Sequence, residues 1–84
     1  MLTIRFFSLI REALDVEQMT VLWSEDVSTV TSLKQALIEQ GGPIWSEVLL
    51  QSNLVYAVNQ RVVFEGAVVA DGDEVAFFPP MTGG

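Results

Sequence analysis

Residues 30 to 41 carry an apolar stripe at helical spacing, and runs with a two-residue period lie on both sides of it. This combination constrains the fold more than any other feature. One helix has to cover one face of a sheet, and the two ends of the chain each supply a strand able to pair in the sheet centre. Val30, Leu33 and Leu37 fall at i, i+3 and i+7 with Ala36 alongside. Thr31, Lys34, Gln35 and Glu39 occupy the polar side, where Lys34 reads as a solvated charge. Ser28 or Thr29 is suited to cap the helix, because a hydroxyl there accepts a bond from a free backbone N–H. Gly41-Gly42 ends it, since glycine accepts the left-handed conformation of a C-cap without steric cost. Pro43 can open a shorter helix, Ile44 to Gln51, with Trp45, Val48 and Leu49 on its buried side.

The strands follow from alternation. Leu2, Ile4 and Phe6 share one face, and Thr3, Arg5 and Phe7 the other. Leu9 to Leu14 suits a short helical turn, and Met19 to Trp23 is rich in β-formers. Leu54 to Asn59 and Arg61 to Phe64 are joined by a tight turn at Asn59-Gln60. Asp71-Gly72-Asp73 marks another turn before a last strand, Glu74 to Phe78. Trp23 and Trp45 read as core residues. The order ββ–α–ββ–β gives an α+β plan, a mixed sheet packed on one main helix, and the ubiquitin-like β-grasp is its commonest small form.

Composition removes several function classes. The 84 residues fit one domain with a thin core. There are no cysteines and no histidines, which excludes disulfides, thiolate nucleophiles, imidazole acid–base chemistry and Cys/His metal sites. Four basic residues against eleven acidic ones give a net charge of −7. That balance repels a phosphate backbone, so no nucleic-acid partner is expected. It serves solubility, and it also steers the chain toward a basic partner surface. The apolar runs fall short of the roughly 20 residues that span a bilayer, and the N-terminus lacks the pattern of a signal peptide. The expectation is a cytoplasmic protein with no membrane partner. Asp71, Asp73 and Glu74 lack the ligand number and spacing of a calcium loop and read as a solvated turn. No metal site is expected.

With side-chain catalysis so restricted, the C-terminus becomes the candidate for chemistry. Pro79-Pro80 stops the last strand, since proline donates no ladder hydrogen bond and favours an extended exit. From Pro79 to Gly84 the extended chain would reach roughly 20 Å, enough to enter another protein's active site. Gly83 and Gly84 lack Cβ atoms and could thread a narrow channel. A free α-carboxylate is ionised at neutral pH and is a poor electrophile. It would need activation, most simply as a mixed anhydride with AMP, after which a sulfur nucleophile could displace AMP. The plainer reading is a frayed end. Against it, the glycines directly follow a proline-terminated strand, and the chain has no alternative catalytic equipment.

The last strand also points to a contact surface. Glu74, Ala76 and Phe78 share one face, Val75 and Phe77 the other. If Glu74 faces solvent, Phe78 does too, as does Phe7 beside Thr3 and Arg5. Two aromatics on the polar side of a sheet form a candidate interface patch, unless a loop covers them. Val62 joins them if its strand turns that way, which its alternation leaves open.

The run Asp71-Gly72-Asp73-Glu74-Val75-Ala76-Phe77-Phe78-Pro79-Pro80-Met81-Thr82-Gly83-Gly84 closely resembles the small subunits of molybdopterin synthase, of the ubiquitin-like sulfur-carrier family. Phe6-Phe7 with Arg11-Glu12 and the run Ala57-Val58-Asn59-Gln60 match as well. The resemblance covers the whole chain. It implies a β-grasp domain over residues 1–80 and a flexible tail over 81–84. It implies that Gly84 is adenylated with ATP by a ubiquitin-activating-type enzyme, becomes a thiocarboxylate through a sulfur donor system, and passes sulfur to cyclic pyranopterin monophosphate, making the molybdopterin dithiolene. The tail residues Pro80, Met81, Thr82 and Gly83 would insert into a large catalytic subunit, in a heterotetramer of two small and two large subunits. Phe7, Phe78 and Val62 would meet that subunit on the sheet face near the tail. Met81 stands where some relatives carry a branched residue, with little expected consequence because both are apolar. No cofactor is expected to stay bound, and the chain alone would not be an enzyme. A carrier for thiamine or another sulfur pathway, a lysine modifier, and a binding module with an inert tail are the competing readings.

Overall fold

The computed structural model describes residues 1–80, in the order β1 (Leu2–Phe6), α1 (Ser8–Leu14), β2 (Gln18–Val21), a 3₁₀ turn (Glu25–Val27), α2 (Val30–Gly41), α3 (Pro43–Leu49), β3 (Val55–Val58), β4 (Arg61–Val63) and β5 (Glu74–Phe78). The strands form one five-stranded sheet in the order β2-β1-β5-β3-β4. β1 and β5, from opposite ends of the chain, pair in parallel at its centre, while the other pairings are antiparallel. This mixed sheet on one main helix is the ubiquitin-like β-grasp.

Alternation decides what each face holds. Leu2, Ile4 and Phe6 of β1 and Val75 and Phe77 of β5 are buried on the face covered by α2, together with Val30, Leu33 and Leu37. Phe6 stacks on Phe77 with ring centroids 5.6 Å apart, and Trp45 meets Phe6 edge-on at 5.5 Å. Gly41 makes room for that tryptophan: a Cβ there would lie 2.1 Å from Trp45 Cγ. The two glycines therefore have different tasks. Gly41 ends the helix against an indole ring, and Gly42 adopts φ 86° and ψ −161°, a region essentially reserved for glycine. At the other end Thr29 and Ser32 form a reciprocal capping box, each side chain satisfying the other's backbone N–H.

Three expectations change in detail. β2 ends at Val21 rather than Trp23, because its partner β1 begins at Leu2, which pairs with Val21, and offers no further ladder. Leu22 is consequently exposed. Trp23 is only partly buried against the core, and its indole N–H donates to the Val69 carbonyl at 3.0 Å; Trp45 is likewise partly buried. The short helix closes at Leu49 rather than Gln51.

The larger correction concerns Lys34, which is buried at 7% exposure rather than solvated. The reason is positional. Residue 34 lies four after Val30 and three before Leu37, so helical geometry sets it inside the apolar stripe whatever its polarity. Its Nζ donates to the Tyr56 hydroxyl at 3.0 Å and to the Glu65 carboxylate. Burial alone pushes the Lys34 ammonium toward a lower pKa. The hydrogen bonds to Glu65 and Tyr56 and the charge of their oxygens outweigh it and hold the group above its ordinary value. The pair ties α2 to β3 and to the loop after β4, which also satisfies the helix start: Val30 N–H donates to Ala67 O and Thr31 N–H to Glu65 O, both at 2.9 Å.

Among the described residues no helix is long and apolar enough to cross a membrane.

Candidate functional site

The face of the sheet turned away from α2 carries a groove of about 310 Å³, lined by Arg5, Phe7, Ala57, Gln60, Val62, Glu74, Ala76 and Phe78. Strand register builds it. Ala76 of β5 lies beside Arg5 of β1 on one side and Ala57 of β3 on the other, and Ala57 lies beside Val62 of β4. The two alanines are 6% and 5% exposed. Small side chains in the central strands leave a floor, and the longer ones around them make walls.

Phe7 and Phe78 form one wall. Phe7 follows β1 in extended conformation as the N-cap of α1, and its N–H donates to the Phe77 carbonyl at 3.2 Å. That bond prolongs the β1–β5 pairing by one residue and sets the two rings side by side. Their planes are 6° apart and their centroids 4.6 Å, and both residues are half-buried. Val62 on the opposite wall is 76% exposed, which resolves the open alternation of β4: Val62 faces outward, while Val63 packs against the core. The structure thus brings Phe7, Val62 and Phe78, scattered in sequence, onto one concave surface.

The turn expected at Asp71-Gly72-Asp73 is a structural joint rather than a ligand site. Asp73 accepts from Ala70 N at 2.8 Å and from Asn59 Nδ2 at 2.9 Å, and Asn59 Oδ1 accepts from Glu74 N at 3.0 Å. Asn59 and Gln60 both have positive φ, 50° and 70°, as a two-residue hairpin with the sheet's twist requires. Asn59 thereby locks the β3–β4 hairpin to the start of β5 and fixes the far end of the groove. Among the described residues no group of three or more carboxylates could hold a metal. A larger polar groove of about 510 Å³ runs along α2, lined by Asp26, Thr29, Thr31, Ser32, Gln35, Ala36 and Glu39. Thr29 and Ser32 are committed to the helix cap and Thr31 to the Glu65 carbonyl, so its three hydroxyls already have structural partners.

β5 ends at Phe78, at the Phe7–Phe78 wall, and Pro79 and Pro80 follow it. The chain therefore leaves the sheet beside the groove, and a protein seated there would lie next to the start of the tail. Met81, Thr82, Gly83 and Gly84, to which the sequence assigns the chemistry, lie outside the described residues.

Five groove residues were not named as contacts from the sequence: Arg5, Ala57, Gln60, Glu74 and Ala76. The signal for Arg5 was its shared parity with Phe7.

A profile of the ThiS family matches residues 4–84. Two curated relatives named molybdopterin synthase sulfur carrier subunit are similar over the full 84 residues of both chains, at 39% identity for the protein of Escherichia coli and 34% for that of Haemophilus influenzae. Among solved structures, SAMP1 of Haloferax volcanii superposes with a TM-score of 0.77 at 25% identity, over 99% of this chain and 98% of that one. The fold, the match from residue 4 to the last glycine and the full-length identity agree, and the chain is a member of the ThiS family.

Proposed function

We propose that this chain is the sulfur carrier subunit of a molybdopterin synthase. The observation that carries the reading is its similarity, at 34% and 39% identity over 84 residues, to two sulfur carrier subunits of that enzyme. Gly84 is the reacting residue. Its carboxylate attacks the α-phosphate of ATP on a ubiquitin-activating-type enzyme, forming an acyl adenylate and releasing pyrophosphate. Sulfide from a donor system then displaces AMP and leaves a thiocarboxylate. The large catalytic subunit receives the tail, Pro80 to Gly84, and the sulfur passes to cyclic pyranopterin monophosphate on the way to the dithiolene, Gly84 returning to a carboxylate by hydrolysis. Two small and two large subunits make the assembly. The chain consumes ATP only through its activating enzyme and holds no resident cofactor.

The groove supports the same reading from another side. A preformed aromatic wall beside the exit of the tail is what a partner needs to bring Gly84 to a fixed place. Stacked rings already held by backbone pairing lose little freedom on docking. Phe7, Phe78 and Val62 are the apolar contacts, and the acidic remainder of the surface steers the approach.

Incubation with ATP, the activating enzyme and a sulfur donor, followed by intact-mass measurement, tests the chemistry. Replacement of one oxygen by sulfur in the C-terminal peptide is expected. An unchanged mass with an active enzyme and donor would contradict it. The structural likeness to SAMP1, a small archaeal modifier protein, favours one second reading, attachment of an activated Gly84 to lysines. A conjugate ladder on a gel would distinguish it.

A further inference from the structure

We infer that Arg5 is a specificity contact in the groove, built to receive a carboxylate of the catalytic subunit; this rests on the carrier reading above. Three observations lead there. First, Arg5 lies within the groove wall, its guanidinium carbon 5.0 Å from the centroid of the Phe7 ring. That cation–π contact holds the guanidinium against the aromatic wall. Second, Arg5 has only a long ion pair, and its donors make no hydrogen bond among the described residues. The nearest carboxylate, Glu74, stands 4.0 Å from Nη1, beyond hydrogen-bond reach, and Nε is buried with no hydrogen-bond partner among the described residues. The Nη donors lie on a side chain that is 36% exposed and are open to an acceptor from outside. Third, the setting is electrostatically contrary to the rest of the chain. Of the four basic residues, Lys34 is buried and paired with Glu65. Arg5 places a cation, with Glu74 beside it, in a mostly apolar groove on a protein of net charge −7.

The occupant that fits is an Asp or Glu side chain flanked by apolar residues. A planar carboxylate can take two parallel N–H bonds from the terminal Nη1 and Nη2 of the guanidinium, while its neighbours cover Phe7, Phe78 and Val62. An acidic chain attracts a basic surface in general, and one inverted pair at the centre fixes the register in which that surface docks. Arg5 would then decide which catalytic subunit is accepted, separately from the aromatic contacts that supply area.

Calorimetric titration of the full chain with the large subunit of the synthase from the same organism tests this, using wild type, Arg5→Gln, Arg5→Lys and Arg5→Leu. Arg5→Gln is expected to bind about 30-fold more weakly or worse, with its melting transition unchanged, because a buried partner carboxylate is left unpaired. Arg5→Lys keeps the charge without the fork and is expected to fall between. Acidic-to-alanine variants of the large subunit are expected to yield one carboxylate whose loss weakens wild type but leaves the Arg5→Gln chain unchanged. Equal affinity of Arg5→Gln and wild type, tighter binding by Arg5→Leu, or no coupled carboxylate would overturn the inference and leave the carrier reading intact. Absence of binding by wild type itself would overturn the carrier reading, and this inference with it.

Discussion

Two stacked phenylalanine pairs lie one residue apart where β1 and β5 end, on opposite faces of the sheet, Phe7 standing just past the end of β1. Phe6 and Phe77 pack beneath the helix at 1% and 0% exposure. Phe7 and Phe78 stack on the other face, half-buried beside a groove. Residue type is the same, and so is the kind of contact. What differs is whether the fold itself finishes covering the rings. The inner pair is enclosed by α2 and α3, so its apolar area is removed from water on folding. The outer pair leaves the covering to another molecule. Side-chain alternation lets one strand pairing serve stability with one face and recognition with the other.

The sharpest way to break this comparison is to truncate one ring from each pair. Phe77→Ala is expected to cost about 3–5 kcal/mol, a large part of what a domain of this size has, and to be seen as an early denaturant midpoint. Phe78→Ala is expected to leave the midpoint nearly unchanged while weakening large-subunit binding by roughly tenfold or more, the scale of an interface aromatic. Similar stability losses in both variants would mean that the outer pair belongs to the core, and the division of labour between the faces would fall.

A smaller effect sharpens the inner side. Lys34→Met keeps the helix stripe apolar but leaves the Tyr56 hydroxyl without its donor, and is expected to cost about 1–3 kcal/mol. The pH dependence carries a sign. The Lys34 ammonium is held above its ordinary value in the folded chain, so its contribution is complete below the unfolded pKa, about 10.4. It is lost as pH rises through the higher folded value. Wild type should therefore lose stability on the alkaline side more steeply than Lys34→Met. Parallel alkaline limbs in denaturant titrations would show that the lysine pair contributes nothing.

Sequence and structure agree where a single period governs. β1 and β5 were legible because each alternates cleanly and the turn residues before β5 are unambiguous. The helix and its glycine stop were legible for similar reasons, and its cap to within Ser28 or Thr29, of which Thr29 is the one used. Lys34 was misplaced because polarity was weighed above position: the 3.6-residue period put it in the stripe, and only Tyr56 and Glu65, 22 and 31 residues away, show how its charge is accommodated. β2 ran long because its end depends on where β1 begins. On the functional side, Phe7 and Phe78 followed from parity. Val62 did not, because β4 is apolar on both faces, and the groove floor of Ala57 and Ala76 exists only once β3 and β5 are in register. The chemistry assigned to Gly84 rests on the tail motif and on family membership.

The most direct test of the account is a single turnover. The chain is first charged with a thiocarboxylate at Gly84, then mixed with its large subunit and cyclic pyranopterin monophosphate, and its mass is followed in time. Sulfur is expected to leave Gly84 and the carboxylate to return as dithiolene product appears, and a chain lacking Gly84 is expected to give no product. A thiocarboxylate that persists beside a competent large subunit, or product formed without Gly84, would contradict it.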